Sequence, residues 1–280
     1  MKLLQIAGQI LKLENSIYVD SGATLNDIVT TQLLPNFSNG YNTENWYWQL
    51  NTVRTHKPNN TTARSPGTLE LTSMIENIMQ HIAAVTGQDP IDVRLANMPA
   101  DTERRQFIKD FRTSTNYETR KTEIDEYNTQ HRWKKRGIAL RRLRTKQSFQ
   151  QDVDLAALYM YNHNDHEAYN VFGIACAEIE LDVLTGNFLL TRVDILQDTG
   201  ESMNPLLDNH NVEEGTLRAK AVGEPTTTVL SIVVLFAIRY ALNSARSNAG
   251  NTDTWYNMGA PSTIEEILLL TENRYQDFHL

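Results

Sequence analysis

The sequence predicts an α+β fold in two domains, residues 1–110 and 111–280, and three observations carry that prediction. Apolar and polar positions alternate near the start of the chain and again near residues 170–198. Helical periodicity takes over between them. The longest apolar run follows a Gly-Glu-Pro step late in the chain, where an extended segment turns into a helix.

Residues 8–53 mix alternating apolar positions with turn residues, as in Gln9-Ile10-Leu11-Lys12-Leu13 and Trp46-Tyr47-Trp48-Gln49-Leu50, which predicts short strands joined by loops. From Thr68 the period changes: Ile75, Ile78, Met79 and Ile82 share one helical face, and Gly87 supplies the stop. Asp89-Pro90 predicts a second, short helix with proline in its first turn. Residues 114–130 are polar and rich in helix formers, with Lys121 and Asp125 four apart, and read as a solvent-facing helix. The domain boundary is placed shortly before it. Further on, Glu178, Glu180 and Asp182 alternate with Ala177, Ile179, Leu181 and Val183, and Thr185-Gly186-Asn187 makes a turn: a β-hairpin with one wet face. A loop over 200–223 leads into an apolar helix from Thr226 to about Arg246. A last helix starts at Ser262, where Ser262-Thr263-Ile264-Glu265 fits a capping box.

Composition bounds the function. With 280 residues, 40% hydrophobic and 21% charged, the chain has length enough for one large domain or two modest ones. Its net charge of -8 repels phosphate, so nucleic acid and anionic membrane are poor partners, and a small molecule or protein is expected instead. The basic stretch from Arg132 to Lys146 has one isolated aromatic, Trp133, and reads as a solvated strand and helix margin. Cys176 alone makes no intrachain disulfide and holds no iron–sulfur cluster; between Ala175 and Ala177 it reads as a small buried residue. The N-terminus breaks its apolar run too early for a signal peptide, which places the protein in the cytoplasm and leaves the sequons at Asn36, Asn59 and Asn60 without meaning. Val229 to Ile238 falls short of the ~20 residues that cross a bilayer and reads as a buried helix. His163, Asp165, His166 and Glu167 are metal-compatible types, but no third histidine follows at ligand spacing, and no metal site is assigned.

One carboxylate stands out. In Ala221-Val222-Gly223-Glu224-Pro225, Glu224 falls at a helix N-terminus, where the helix dipole favours its charge while burial in a pocket raises its pKa. Together these leave a general base usable near neutrality. On spacing alone, a carboxylate that merely caps a helix is the commoner arrangement.

The wider context resembles the aldehyde oxidase and xanthine dehydrogenase family of molybdenum hydroxylases. Two stretches carry the likeness, Arg192-Val193-Asp194-Ile195-Leu196-Gln197-Asp198-Thr199-Gly200-Glu201-Ser202-Met203-Asn204-Pro205 and Arg218-Ala219-Lys220-Ala221-Val222-Gly223-Glu224-Pro225. Lys57 to Gly67 is similar to the family's arginine loop, especially as it occurs in insect aldehyde oxidases; Tyr117 to Lys121, Arg132 to Gly137 and Trp255 to Thr263 follow in the family's order. The resemblance implies two partial molybdopterin-binding domains of the xanthine oxidase type. It implies that Glu224 is the general base that lets an oxygen attack an electron-poor carbon, oxidising an aldehyde or an N-heterocycle. The cofactor is molybdopterin, with the metal carried by the pterin and needing no protein ligand. Arg64, Ser65, Gly67, Asn211 and Gly223 fall on the cofactor side, although without the match Arg64 reads as a salt-bridging residue on a tight turn. Pro66 replaces an aromatic wall of xanthine-specific members, which suits aldehydes better than purines.

The chain departs from the pattern in three places. Gly137-Ile138-Ala139-Leu140 passes directly to Arg141-Arg142-Leu143-Arg144, without the family's glycine-rich cofactor loops. A second omission falls near Glu213-Glu214, and Asp208-Asn209-His210-Asn211 stands for Asp-x-Gly-Gln. The resemblance also implies that the iron–sulfur and flavin portions lie outside this chain, so the expectation is a shortened fragment with impaired or no activity alone. Deletions within paired strands predict exposed edges. The competing reading is a non-catalytic relic serving as an interaction module, as a homodimer or paired with a full-length relative.

Overall fold

A computed structural model describes residues 2–24, 37–60, 67–100, 102–147, 169–198, 224–253, 255–259 and 262–273. Its first half opens with a three-stranded sheet, order β1-β2-β3: β1 (Lys2–Ile6) is antiparallel to β2 (Gln9–Gly22), and β3 (Trp46–Arg54) runs parallel to β2. At fourteen residues β2 is longer than the short strands predicted. Four helices follow: α1 (Thr68–Thr86), α2 (Pro90–Ala96), α3 (Thr102–Ser114) and α4 (Tyr117–Gln130). The local signals hold. Gly87 closes α1 in a left-handed conformation, φ 68°, and Asp89 caps α2 by accepting a hydrogen bond from the Ile91 amide at 2.8 Å, with Pro90 at the helix start.

Helix α3 was not foreseen, and it runs through the position of the expected domain boundary. Its mean composition is polar, but Ile108 and Phe111, three apart, bury one face. Helix α4 also differs from expectation. Tyr117, Arg120, Ile124 and Asn128 are buried on it, and Lys121 and Asp125 do not pair with each other. Lys121 Nζ instead reaches Asp89 at 2.7 Å, and Asp125 accepts from the Tyr240 hydroxyl at 2.5 Å. The interhelical partners win because each satisfies a group that packing half-buries, which an exposed i,i+4 pair does not.

The second sheet is antiparallel, order β4-β5-β6: β4 (Lys134–Gln147), β5 (Tyr169–Asp182) and β6 (Phe188–Asp198). The predicted hairpin is present, with Gly186 in the turn at φ 75°. Its alternation sorts two cores. Ile138, Leu140, Ile174 and Cys176 join the interior of the first half, while Ala139, Ala175, Ala177, Ile179 and Leu181 face the long helix α5 (Glu224–Asn248). The face is wet only toward the turn, since Arg120 of α4 covers Glu178. At the edge, β6 leaves Phe188, Leu189 and Leu190 exposed.

Helix α6 (Ile264–Leu270) has its capping box one residue later than expected. Thr263, not Ser262, is the N-cap: its hydroxyl accepts from the Glu266 amide at 3.1 Å, and Glu266 accepts from the Thr263 amide at 3.0 Å. No helix among the described residues is long and apolar enough to cross a membrane. Ile232, Val233, Phe236, Ala237 and Ile238 of the apolar run are buried against β4 and β5.

Candidate functional site

Helix α5 begins at Glu224, as the Gly-Glu-Pro step requires, and this places the backbone of the expected general base at the N-terminus of a 25-residue helix. The helix is held close to the sheet by small residues. A methyl group added at Gly137 of β4 would lie 1.8 Å from the Ala237 carbonyl oxygen, so glycine is required for that approach. Ala139, Ala175, Ala177 and Ala241 extend the seam.

Of the expected cofactor-side residues, Gly67 lies at the N-cap of α1 with φ 69° and ψ -12°. A left-handed residue with no side chain suits that corner and leaves the helix start without a side-chain cap, an arrangement compatible with an anionic group. Arg64, Ser65, Asn211 and Gly223 lie outside the described residues, as do His163, Asp165, His166 and Glu167. Among the described residues no group of three metal-ligating side chains converges. Cys176 is fully buried, and burial pushes its thiol up to about 12, which rules it out as a nucleophile at neutral pH.

Further along α1 from Gly67 lies a buried ionic network that the sequence reading missed. Glu76 of α1 accepts from Arg94 Nε at 2.6 Å, from the Tyr41 hydroxyl at 2.6 Å and from Asn39 Nδ2 at 2.8 Å, while Arg141 Nε of β4 stands 3.8 Å away. Burial raises the Glu76 pKa, but the Arg94 and Arg141 charges outweigh it and hold the carboxyl below its ordinary range. Arg141 donates to Gln80 Oε1 at 2.6 Å, and its guanidinium lies 4.2 Å from the centre of the Phe236 ring, so the network joins α1, α2, β4 and α5.

The basic stretch is a solvated margin only in part: Lys134 and Arg136 are exposed, but other cations in it are not. Lys135, Arg141 and Arg142 are buried. Strand alternation turns Lys135 and Arg141 toward α5, and no local pattern announces a glutamate on α1 as the partner. Lys135 Nζ donates to the Asn128 carbonyl at 2.5 Å, near the C-terminal end of α4, where a helix dipole favours a cation. Burial, helped by the charge of Arg132, pulls its pKa down to about 8. The unfolded chain then binds more protons between that value and the ordinary lysine value near ~10.4, so this residue's contribution to stability rises with pH across the window. Urea midpoints of Lys135→Met and the parent should therefore diverge in the parent's favour from about pH 8 to about pH 10. A difference that stays constant would refute the burial of Lys135.

A second missed cluster pins the tail to α5. Arg239 lies 4.4 Å from the ring centre of Trp255 and 4.7 Å from that of Tyr256, and His81 of α1 stacks on Trp255 at 4.2 Å. The guanidinium pattern was present in the sequence, but its aromatic partners are separated from it by the end of α5.

The fold is that of a molybdopterin-binding protein. The sequence profile for a molybdopterin cofactor-binding domain matches residues 4–98, and a second of the same description matches residues 141–223, together well over half the chain. Aldehyde oxidase 2 of Mus musculus is 28% identical over 148 residues, covering 48% of this chain and 11% of that protein. Xanthine dehydrogenase/oxidase of Rattus norvegicus is 26% identical over 174 residues, covering 42% and 13%. The chain thus spans only a small part of the relatives it matches. Among solved structures, the aldehyde oxidoreductase of Desulfovibrio desulfuricans superposes with a TM-score of 0.70 at 12% identity, over 94% of this chain and 47% of that one. The CO dehydrogenase of Oligotropha carboxidovorans gives 0.71 at 10% identity, over 95% and 60%, likenesses that concern the fold alone. This chain belongs to the aldehyde oxidase and xanthine dehydrogenase family of molybdenum hydroxylases, and it carries two partial molybdopterin-binding domains.

Proposed function

We propose that the chain derives from, and retains the base of, a molybdopterin-dependent hydroxylase acting on an aldehyde or N-heterocycle carbon in the cytoplasm, shortened so that activity alone is impaired or absent. The observation that carries this reading is the start of α5 at Glu224, on a helix locked to its sheet by Gly137 and to the Glu76 network by Phe236. A carboxylate there takes a proton from the attacking oxygen nucleophile, and the fixed helix holds it in place. Gly67 and the N-terminus of α1 fit the anionic end of the pterin, and by the family resemblance Arg64, Ser65, Asn211 and Gly223 would be further cofactor-side residues. The cofactor, when bound, would supply the oxidising centre.

A second reading, a relic that pairs with another copy or a full-length relative, is favoured by the exposed Phe188, Leu189 and Leu190 on β6. One experiment separates the two. Protein from a cofactor-competent host is assayed for molybdenum by mass spectrometry and for aldehyde turnover with an artificial electron acceptor. The first reading expects bound molybdenum, with Glu224→Gln keeping the metal while losing about 10²- to 10⁴-fold in turnover. A folded, metal-free protein that coelutes with a full-length relative selects the second.

A further inference from the structure

The Glu76 network is joined by a dipeptide of unusual chemistry. Asn39-Gly40 is the one Asn-Gly step in the sequence. It forms the centre of a tight turn, in which the Tyr41 amide donates to the Ser38 carbonyl at 2.7 Å, with φ 40° at Asn39 and φ 72° at Gly40. Both central residues are left-handed, as a type I′ turn requires, and Asn followed by Gly meets that requirement with least strain. The same pair is chemically weak. Glycine has no side chain to shield its amide nitrogen from the amide carbon of the asparagine before it. We propose that Asn39-Gly40 is a deamidation site, protected in the folded chain and converted to aspartate or isoaspartate when this turn opens, and that conversion prevents the Glu76 network from re-forming.

The protection is visible in the contacts of Asn39. Its side chain donates from Nδ2 to Glu76 Oε1 at 2.8 Å and to the Arg142 carbonyl at 3.3 Å, while its own carbonyl accepts from Arg142 Nη2 at 2.6 Å. The residue is 1% exposed, and Gly40 beside it is buried. In the reaction the Gly40 amide nitrogen gives up its proton and bonds to Asn39 Cγ. The Cγ–Nδ2 bond breaks and ammonia leaves with that proton. Water then opens the cyclic imide at either carbonyl, giving aspartate or, with the main chain routed through Cγ, isoaspartate. To start this sequence the Asn39 amide must abandon both acceptors and swing onto Gly40, and water must reach the imide. Both need the turn to open locally.

The product does not fit the place it came from. An oxygen would stand where Nδ2 stood, facing Glu76 Oε1 and the Arg142 carbonyl, so a donor between two acceptors becomes a third acceptor. Isoaspartate also lengthens the main chain by a carbon just before Tyr41, whose hydroxyl donates to Glu76 at 2.6 Å. Each opening that ends in conversion therefore withdraws a molecule from the folding equilibrium irreversibly. The turn acts as a chemical record of having opened.

The test uses the whole chain in mildly alkaline buffer, which favours loss of the glycine amide proton, with and without guanidinium chloride above the unfolding midpoint. Peptide mapping by mass spectrometry follows residue 39 as asparagine, aspartate and isoaspartate. Conversion in denaturant should match that of a short free peptide of the same local sequence, and conversion in buffer should be at least about tenfold slower. Converted chains, separated by their added negative charge, should fail to refold on dilution or refold with a lowered denaturant midpoint, while unconverted chains from the same sample recover. If the unconverted chains also fail to recover, Asn39→Asp expressed directly carries the product side chain, and it should be unfolded or have a midpoint below the parent's. Equal conversion rates in buffer and denaturant, or a parental midpoint in the converted chain or in Asn39→Asp, would overturn the inference.

Discussion

Glu76→Gln is expected to cost about 3–5 kcal/mol of stability, the range for breaking a buried ion pair from one side. The side chain is 1% exposed and accepts three short hydrogen bonds, from Arg94, Tyr41 and Asn39. Glutamine keeps the shape and one oxygen but turns an N–H₂ toward donors, and it leaves Arg94 and Arg141 with no counter-charge. A domain of this kind has about 5–15 kcal/mol in total, so the loss is a large fraction and should be read as a fall in urea midpoint with the slope unchanged. The same residue sets part of the acid limb. Its folded pKa lies below the unfolded value, so its stabilisation is complete above the ordinary carboxylate range and is lost as pH falls through the depressed value. The variant should lack that part of the acid transition. If Glu76→Gln unfolds at the parental urea concentration, the network is not what joins the halves.

The contrast between what the sequence revealed and what it hid follows the range of the forces involved. Gly87, Asp89-Pro90, Thr185-Gly186-Asn187 and Glu224-Pro225 act through their own backbones, and each was read correctly from a few neighbouring residues. The hairpin was implicit in its alternation, but the bulge in its pairing between Glu178 and Ile179 was not. Helix α3 was passed over because its charged residues dominate the composition and only Ile108 and Phe111 mark its inner face. The basic stretch was misread for the opposite reason. Whether Arg141 is solvated or buried depends on Glu76, Gln80 and Phe236, none of which is near it in sequence. For the candidate site, the sequence located the start of α5 and the glycine corner of α1. The fit of α5 against β4, which fixes where Glu224 is carried, rests on Gly137, which closed the family-like stretch from Arg132 without any packing role being read from it.

That glycine gives the second large effect. Gly137→Ala should destabilise by about 1–3 kcal/mol, at the upper end of the range for overpacking. Two terms compete. Alanine reduces the freedom of the unfolded chain, which stabilises by about 0.4–1 kcal/mol where the backbone tolerates it. Against this, the new methyl would lie 1.8 Å from the Ala237 oxygen and 2.8 Å from its carbonyl carbon, and both are helix backbone that cannot rotate away. The clash wins, and α5 must lift or tilt. Glu224 lies thirteen residues earlier on the same helix, about 20 Å along its axis, so a small tilt at the contact becomes a larger displacement at the helix start. Under the proposed function the variant should therefore lose molybdenum content or turnover at temperatures where circular dichroism still reports it folded. A Gly137→Ala protein with parental stability would show that α5 does not approach β4 this closely. One destabilised but catalytically intact would separate the seam from the site.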